Sequence, residues 1–182
     1  MIKTWIIVAG TGIITAVSWR SLGHTRSHGF SRFFAFEAIL VMIVMNSPSW
    51  FDDPFSIRQM ISWLMLSGAF LLAIHGFQLL HKVGRPQKAT SESPNLSFEN
   101  TSTLVTVGAY RFIRHPLYAS LLLLAWGAGL KVVSPLSAGL TIGATAFLVA
   151  TAKAEERENI TRFGEAYREY MSRTRLFIPY IL

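Results

Sequence analysis

Two short stretches carry side chains that could act together. In Tyr110-Arg111-Phe112-Ile113-Arg114-His115-Pro116-Leu117-Tyr118, the proline suits the first turn of a helix, because its missing N–H would be an orphan donor anyway. Arg114 and His115 then stand at a helix mouth, where free amides and the positive end of the dipole favour an anion. Tyr118, on the first turn, offers a ring or a hydroxyl. The second stretch, Glu155-Glu156, follows a long uncharged run. Its carboxylates therefore fall near a helix C-terminus and a membrane interface, where the dipole and partial desolvation both oppose them. Each stretch also has a plainer reading. The first is a cationic membrane flank with an aromatic belt, and the second is a solvated pair answered by Arg157 and Arg162. Brought together, they make an anion pocket beside a cation pocket, which suits a zwitterion.

Other candidates carry less. Gly10-Thr11-Gly12 begins like a dinucleotide fingerprint, but Thr15 stands where the third glycine belongs and no strand precedes it. His24 and His28 have i, i+4 spacing, yet Gly23 and Gly29 mark a loop and no acidic or cysteine ligand adjoins them, so no metal is assigned. Glu37 lies near Arg32, and an interfacial ion pair explains it. His75 falls inside an apolar run and needs a polar partner or a cavity; it is either a hydrogen-bonded packing residue or part of a substrate groove. The chain has no cysteine, which excludes disulfides, thiolate metal sites and thiol nucleophiles.

The elements that must position these residues follow from hydropathy. Of 182 residues, 51% are hydrophobic and 15% charged, with a net charge of +7; soluble domains carry about 25% charged residues. Five segments reach or approach the roughly 20 apolar residues that cross a bilayer: Thr4–Trp19, Phe33–Asn46, Gln59–Leu80, Pro116–Leu130 and Val132–Ala152. None alternates with the period of a barrel strand. The expected fold is therefore all-α, an integral membrane protein with five transmembrane helices and a cytoplasmic cofactor-binding region. Lys3, the apolar run and Ala16-Val17-Ser18 imitate a signal peptide, but Arg20, Arg26 and Arg32 follow it without an acidic residue among them, which favours a retained helix.

Cations set the orientation. The 20–32 and 81–115 connections and the tail from Lys153 hold 14 of the 17 Lys and Arg, whereas Lys3, Arg58 and Lys131 fall on the other side. The positive-inside rule then places the N-terminus outside and the C-terminus and cofactor site in the cytoplasm. An odd number of crossings follows. Basic residues confined to gaps between apolar runs speak for membrane orientation and membrane lipids as surroundings, not for a nucleic acid. Residues 84–100, rich in Ser and Pro, read as a loop that could close over a ligand. Two sequons, at Asn95 and Asn100, would be idle on the cytoplasmic side. Ile160, Phe163, Tyr167 and Met171 recur at helical spacing among charges and predict an amphipathic helix. The apolar end from Phe177 to Leu182 could return to the membrane or fold over a site.

Taken together, Leu104-Val105-Thr106-x-Gly108-x-Tyr110-x-x-x-Arg114-His115-Pro116-x-Tyr118, then Glu155-Glu156 and Phe163-Gly164-x-x-Tyr167-x-x-Tyr170, resemble the isoprenylcysteine carboxyl methyltransferase family and its phospholipid methyltransferase relatives. The match covers about residues 101–182, in order and spacing. The resemblance implies membrane enzymes that use S-adenosyl-L-methionine held by the last two membrane helices. It implies cofactor contacts from Ser102, Thr103, Leu104, Val105, Tyr110, His115, Pro116, Leu117, Tyr118, Glu155 and Glu156. Hydropathy gives three N-terminal transmembrane helices over 1–82, which the chain shares with the family only in hydropathy, and the resemblance makes 83–182 the methyltransferase core. Relatives acting on isoprenylcysteine carry an arginine where this chain has Thr151; Lys153 is the nearest cation, and Arg114 is the third substrate-side candidate. Asn159 and Ala109 depart from the usual leucine and proline. The activity implied is methyl transfer to a lipophilic or prenylated acceptor from the bilayer, foremost O-methylation of an isoprenylcysteine carboxylate. A phospholipid amine N-methyltransferase and a non-catalytic membrane scaffold are the other readings.

Overall fold

The computed structural model describes residues 1–25, 27–85 and 101–180. The expected lid at 84–100 therefore lies almost entirely outside the described residues, as do Arg26 and the last two residues of the apolar end. The order is α1 (Ile2–Leu22), α2 (His28–Asn46), a 3-10 turn at Ser47–Ser49, α3 (Ile57–Lys82), a 3-10 turn at Gly108–Arg111, α4 (Pro116–Gly129), α5 (Pro135–Phe163) and α6 (Glu165–Arg173). Among the described residues no strand forms, and Ile113 and Arg175 share one isolated bridge. α1, α2 (with the Ser47–Ser49 turn), α3 and α5 are long and apolar enough to cross a membrane, whereas α4 is a shorter apolar helix. Its 14 residues rise about 21 Å.

Helix starts follow local chemistry. The Ser56 hydroxyl accepts from the Gln59 N–H at 3.4 Å to open α3, and Ser134 does the same for Ser137 at 3.1 Å ahead of α5, with Pro135 in the first turn. Such caps satisfy amides that the helix itself leaves orphaned. α5 runs eleven residues past the apolar segment expected from the sequence, which ended at Ala152. It stops at Gly164, whose φ of +60° is costly for any other residue. The single amphipathic helix expected through Ile160 and Met171 is thus two, α5 ending at Phe163 and α6 starting at Glu165. α2 also begins earlier than hydropathy indicates, so Arg32 is a helical residue only 2% exposed and not part of a loop.

α2 packs on α5 and α3 on α4, α4 also meets α2 and α5, and α1 lies outside against α2. Ala125, Ala128 and Ala144 are fully buried around Met42 and Ile39, so small side chains let these backbones approach closely. Polar contacts tie the layers. Asn46 Nδ2 donates to the Ala128 carbonyl at 3.0 Å and Ser62 Oγ to the Gly127 carbonyl at 2.6 Å. At the end away from Arg114, Lys131 is 1% exposed. Its Nζ lies 3.6 Å from the Trp63 ring centre and donates to Gln59 Oε1 at 3.0 Å. Arg58 Nη1 caps α4 by donating to the Leu130 carbonyl at 2.5 Å. Burial first, and the nearby Arg58 second, push the Lys131 ammonium below its ordinary pKa.

Candidate active site

The site is built where α4 begins and the apolar part of α5 ends. Tyr110 and Arg111 lie on a 3-10 turn entered through Gly108, whose φ is +61°. A Cβ there would meet His75 Nε2 at 2.8 Å, so glycine answers both the backbone and the close approach. His75 accepts the Ala109 N–H at 3.3 Å, which supplies the polar partner its place in α3 demanded and ties α3 to this turn. The chain then passes through Arg114 and His115 into Pro116. It is pinned there by the segment after α6. The Arg114 N–H donates to the Arg175 carbonyl at 2.7 Å, the His115 N–H to the Leu176 carbonyl at 3.2 Å, and the Arg175 N–H to the Phe112 carbonyl at 3.1 Å.

α5 answers with carboxylates. Glu156 pairs with Arg114 through Nε, and Arg114 Nη1 also donates to the Thr174 carbonyl at 2.6 Å. Tyr118 OH donates to Glu155 Oε2 at 2.5 Å. His115 sits between them, its Nδ1 3.8 Å from Glu155 Oε2 and its Nε2 3.7 Å from Glu156 Oε1. Both separations exceed a hydrogen bond, and the buried Nε2 has no hydrogen-bond partner among the described residues. The ring is positioned by stacking on Tyr118 at 5.4 Å and by the edge of Phe177 at 6.3 Å. One turn further, Glu158 Oε2 meets His28 Nδ1 at 2.8 Å, locking α5 to the start of α2. His24 instead turns back to the end of α1, contacting the Arg20 carbonyl at 3.1 Å. Glu37, expected beside Arg32, accepts from Thr11 Oγ1 at 2.8 Å.

These residues enclose a cavity of about 650 Å³, within the roughly 300–1,000 Å³ of small-molecule sites. Of the residues singled out in the sequence, Leu104, Val105, Tyr110, Arg114, His115, Leu117, Tyr118 and Glu155 border it. Ser102 and Thr103 do not, and Ser102 instead donates its N–H to the Gly84 carbonyl at 3.0 Å while Thr101 takes the wall position. Pro116 is buried at the helix start, and Glu156 stands behind the wall on Arg114. Thr151 is fully buried with its hydroxyl on the Phe147 carbonyl at 2.7 Å, and Lys153 is exposed; neither borders the cavity. Sequence reasoning missed Arg32, Phe36, Asn159, Phe163 and the α3 face of Phe70, Ile74 and Phe77 as wall residues. An i, i+4, i+7 aromatic and aliphatic stripe on α3 was the available signal.

Burial makes the site's tyrosines firmly neutral donors. It pushes the Tyr110 hydroxyl far up, with Glu155 adding to the effect. It raises Tyr167 as well, against an opposing hydrogen bond with Asn159, and Tyr170 against the opposing charge of Arg114. The Tyr170 hydroxyl donates to the Tyr110 carbonyl at 2.6 Å, fixing α6 to the turn.

Four long apolar helices define a multi-pass integral membrane protein, with a mostly apolar cavity at one end of them. Residues 15–174 match the family described as a protein of unknown function, DUF1295, and the chain belongs to that isoprenylcysteine carboxyl methyltransferase-like family. The protein-S-isoprenylcysteine O-methyltransferase of Homo sapiens is 30% identical over 125 residues, covering 66% of this chain and 43% of the human protein. Methanethiol S-methyltransferase 1 of Bradyrhizobium diazoefficiens is 33% identical over 72 residues, 39% of this chain and 24% of its own length. The methanethiol S-methyltransferase of Mycobacterium tuberculosis is 27% identical over 71 residues, 39% and 28% respectively. The chain thus spans less than half the length of these curated relatives. No solved structure matches it.

Proposed function

We propose that this protein is an integral membrane methyltransferase that uses S-adenosylmethionine and methylates a lipophilic acceptor, foremost the carboxylate of an isoprenylated cysteine. One observation carries the reading: His115 and Glu155, 40 residues apart in the chain, lie 3.8 Å apart on the wall of a single cavity. The rest of that wall is mostly apolar. Support also comes from relatives, since the human and bacterial proteins above are named as methyltransferases. In this reading α4 is a fifth, short crossing, the N-terminus is outside, and the site faces the cytoplasm.

The residues present fit the cofactor. His115 Nε2, which makes no hydrogen bond among the described residues, offers an N–H donor to a carboxylate at the mouth of α4, where the helix dipole adds its field. Glu155 spends one oxygen on Tyr118 and, among the described residues, accepts no hydrogen bond on the other, which suits an ammonium or a ribose hydroxyl. When bound, S-adenosylmethionine supplies a methyl group activated by its sulfonium. The protein's share is orientation and exclusion of water, which are large terms for an in-line displacement. A carboxylate acceptor, with a pKa of roughly 3.5, arrives ionised and needs no base. The acceptor's chain reaches the cavity past Phe70, Ile74 and Phe77, which are 66%, 41% and 48% exposed on α3 while also bordering it.

Titration calorimetry of the full chain in detergent with S-adenosylhomocysteine tests the reading. Binding is expected, and Glu155→Gln and His115→Ala should each weaken it by about tenfold or more, the worth of a charge-assisted hydrogen bond. Folded wild-type protein that binds nothing overturns it. Transfer of label from radiolabelled cofactor to a prenylcysteine analogue, and not to phosphatidylethanolamine, selects the O-methylation acceptor.

A further inference from the structure

We propose that Asn159 and Phe163 form the base-recognising end of the cavity, Asn159 holding the hydrogen-bonding edge of an adenine through its carboxamide while Phe163 meets the face of the ring. The inference rests on the methyl-transfer reading above and states how the donor's nucleoside lies in the site. Glu155, Asn159 and Phe163 all border the cavity from α5. Their four-residue spacing sets them about 6 Å apart in succession along one face of the helix. A carboxylate, a carboxamide and a phenyl ring therefore follow one another in a line.

The first member of that line lies 3.8 Å from His115, where the ammonium or a ribose hydroxyl is held. The other two stand on the part of α5 beyond its apolar run, which ends at Ala152, whereas the acceptor's chain enters past the apolar side chains of α3. An amide left unpaired among apolar groups is costly, so a prenyl or acyl chain gains nothing from Asn159. A purine has a flat aromatic face and a polar edge, and it suits both residues. Asn159 is also fixed in its orientation. Its hydrogen bond with the Tyr167 hydroxyl, a group only 2% exposed with its residue and bordering the same cavity, opposes the rise in pKa that burial causes there, so Asn159 is the donor. An amide that donates one N–H to Tyr167 keeps its other N–H and its carbonyl oxygen, the pair that adenine engages in bidentate fashion through N7 and the N6 amino group. Hypoxanthine carries a carbonyl where adenine has that amino group. It would set one acceptor against another, and the bond to Tyr167 stops the amide from turning over to relieve it.

The test is titration calorimetry of the full chain in detergent with S-adenosylhomocysteine and with S-inosylhomocysteine, which differ at that edge. Wild type is expected to prefer the adenosyl ligand by about tenfold or more. Asn159→Leu, a change of similar volume, should weaken S-adenosylhomocysteine binding by about tenfold and move the inosyl ligand by less than about threefold. Phe163→Leu should weaken both ligands alike, by about fivefold or more, because both bases stack. Equal losses for the two ligands in Asn159→Leu, or no loss at all, overturn the proposal while sparing the methyltransferase reading, as does a wild type that binds both ligands equally. If Asn159→Leu does not fold, S-(7-deazaadenosyl)homocysteine decides it with wild type: without N7 it must bind about tenfold more weakly than its parent, and equal affinity refutes the edge contact. Wild type that binds no S-adenosylhomocysteine removes both readings together.

Discussion

At the scale of single residues, the motif side chains divide between facing the cavity and holding those that do. Arg114 and Glu156, each 12% exposed, are spent on one another and on the carbonyls after α6. Removing one partner of such a pair leaves a buried charge uncompensated, which costs about 3–5 kcal/mol. Arg114→Ala should therefore lower the apparent melting temperature in detergent by several degrees. The double variant Arg114→Ala with Glu156→Gln should be more stable than Arg114→Ala alone. If the second substitution only adds to the loss, the pair is not what Arg114 contributes. The sequence singled out Arg114-His115 and Glu155-Glu156 as two stretches that could act together, but not which member does which task. That depends on which carboxylate oxygen points back along α5, and residue order does not carry it. Arg32 was illegible for a different reason. Counted from hydropathy it belonged to a cationic connection, and only the early start of α2 and its packing on α5 bring it inside.

Among the elements, the segment after α6 does work that its length conceals. Thr174 to Phe177 lies along Phe112 to His115, exchanging backbone hydrogen bonds, and Phe177, 4% exposed, sets its edge against the His115 ring. The apolar end expected to return to the membrane or fold over a site does fold back, as far as it is described. Phe177→Ala removes a buried ring whose loss costs about 3–5 kcal/mol, and the loss falls on the imidazole's support. It should lower the melting temperature and weaken S-adenosylhomocysteine binding by about tenfold. Trp19→Ala, on a side chain 72% exposed on α1, should change neither measurement in the same calorimetric and thermal assays. Helix identity was readable because long uncharged runs admit one structure in lipid. The break at Gly164 was harder to see. Ile160, Phe163, Tyr167 and Met171 keep a helical period straight through it, and a left-handed glycine does not disturb a pattern of side-chain polarity.

For the whole molecule, the distribution of buried charge sets two ends with separate duties. One end gathers Arg114, His115 and Glu155 around the cavity with Glu156 behind them, whereas the other closes the bundle with Lys131 under Trp63 and Trp50 and with Arg58 over the end of α4. Between them run the 14 residues of α4, about 21 Å of helix, with an alanine-rich interior and few rearrangeable polar groups. A charge this deeply enclosed is held by what surrounds it. The ammonium donates to Gln59 and to the Trp50 carbonyl at 3.3 Å, and a desolvated cation on an aromatic face is worth about 2 kcal/mol. Lys131→Met keeps the stem but orphans those acceptors, at about 1–3 kcal/mol for each buried group left unpaired. The expected result is a lower apparent melting temperature, since α3 and α4 lose their clasp, together with wild-type affinity for S-adenosylhomocysteine at temperatures well below the transition. Coupling between the two ends would require a bistable element in the bundle interior. A fall in affinity that tracked the loss of stability would show that the clasp and the ligand site are one cooperative unit, and that α4 transmits between them.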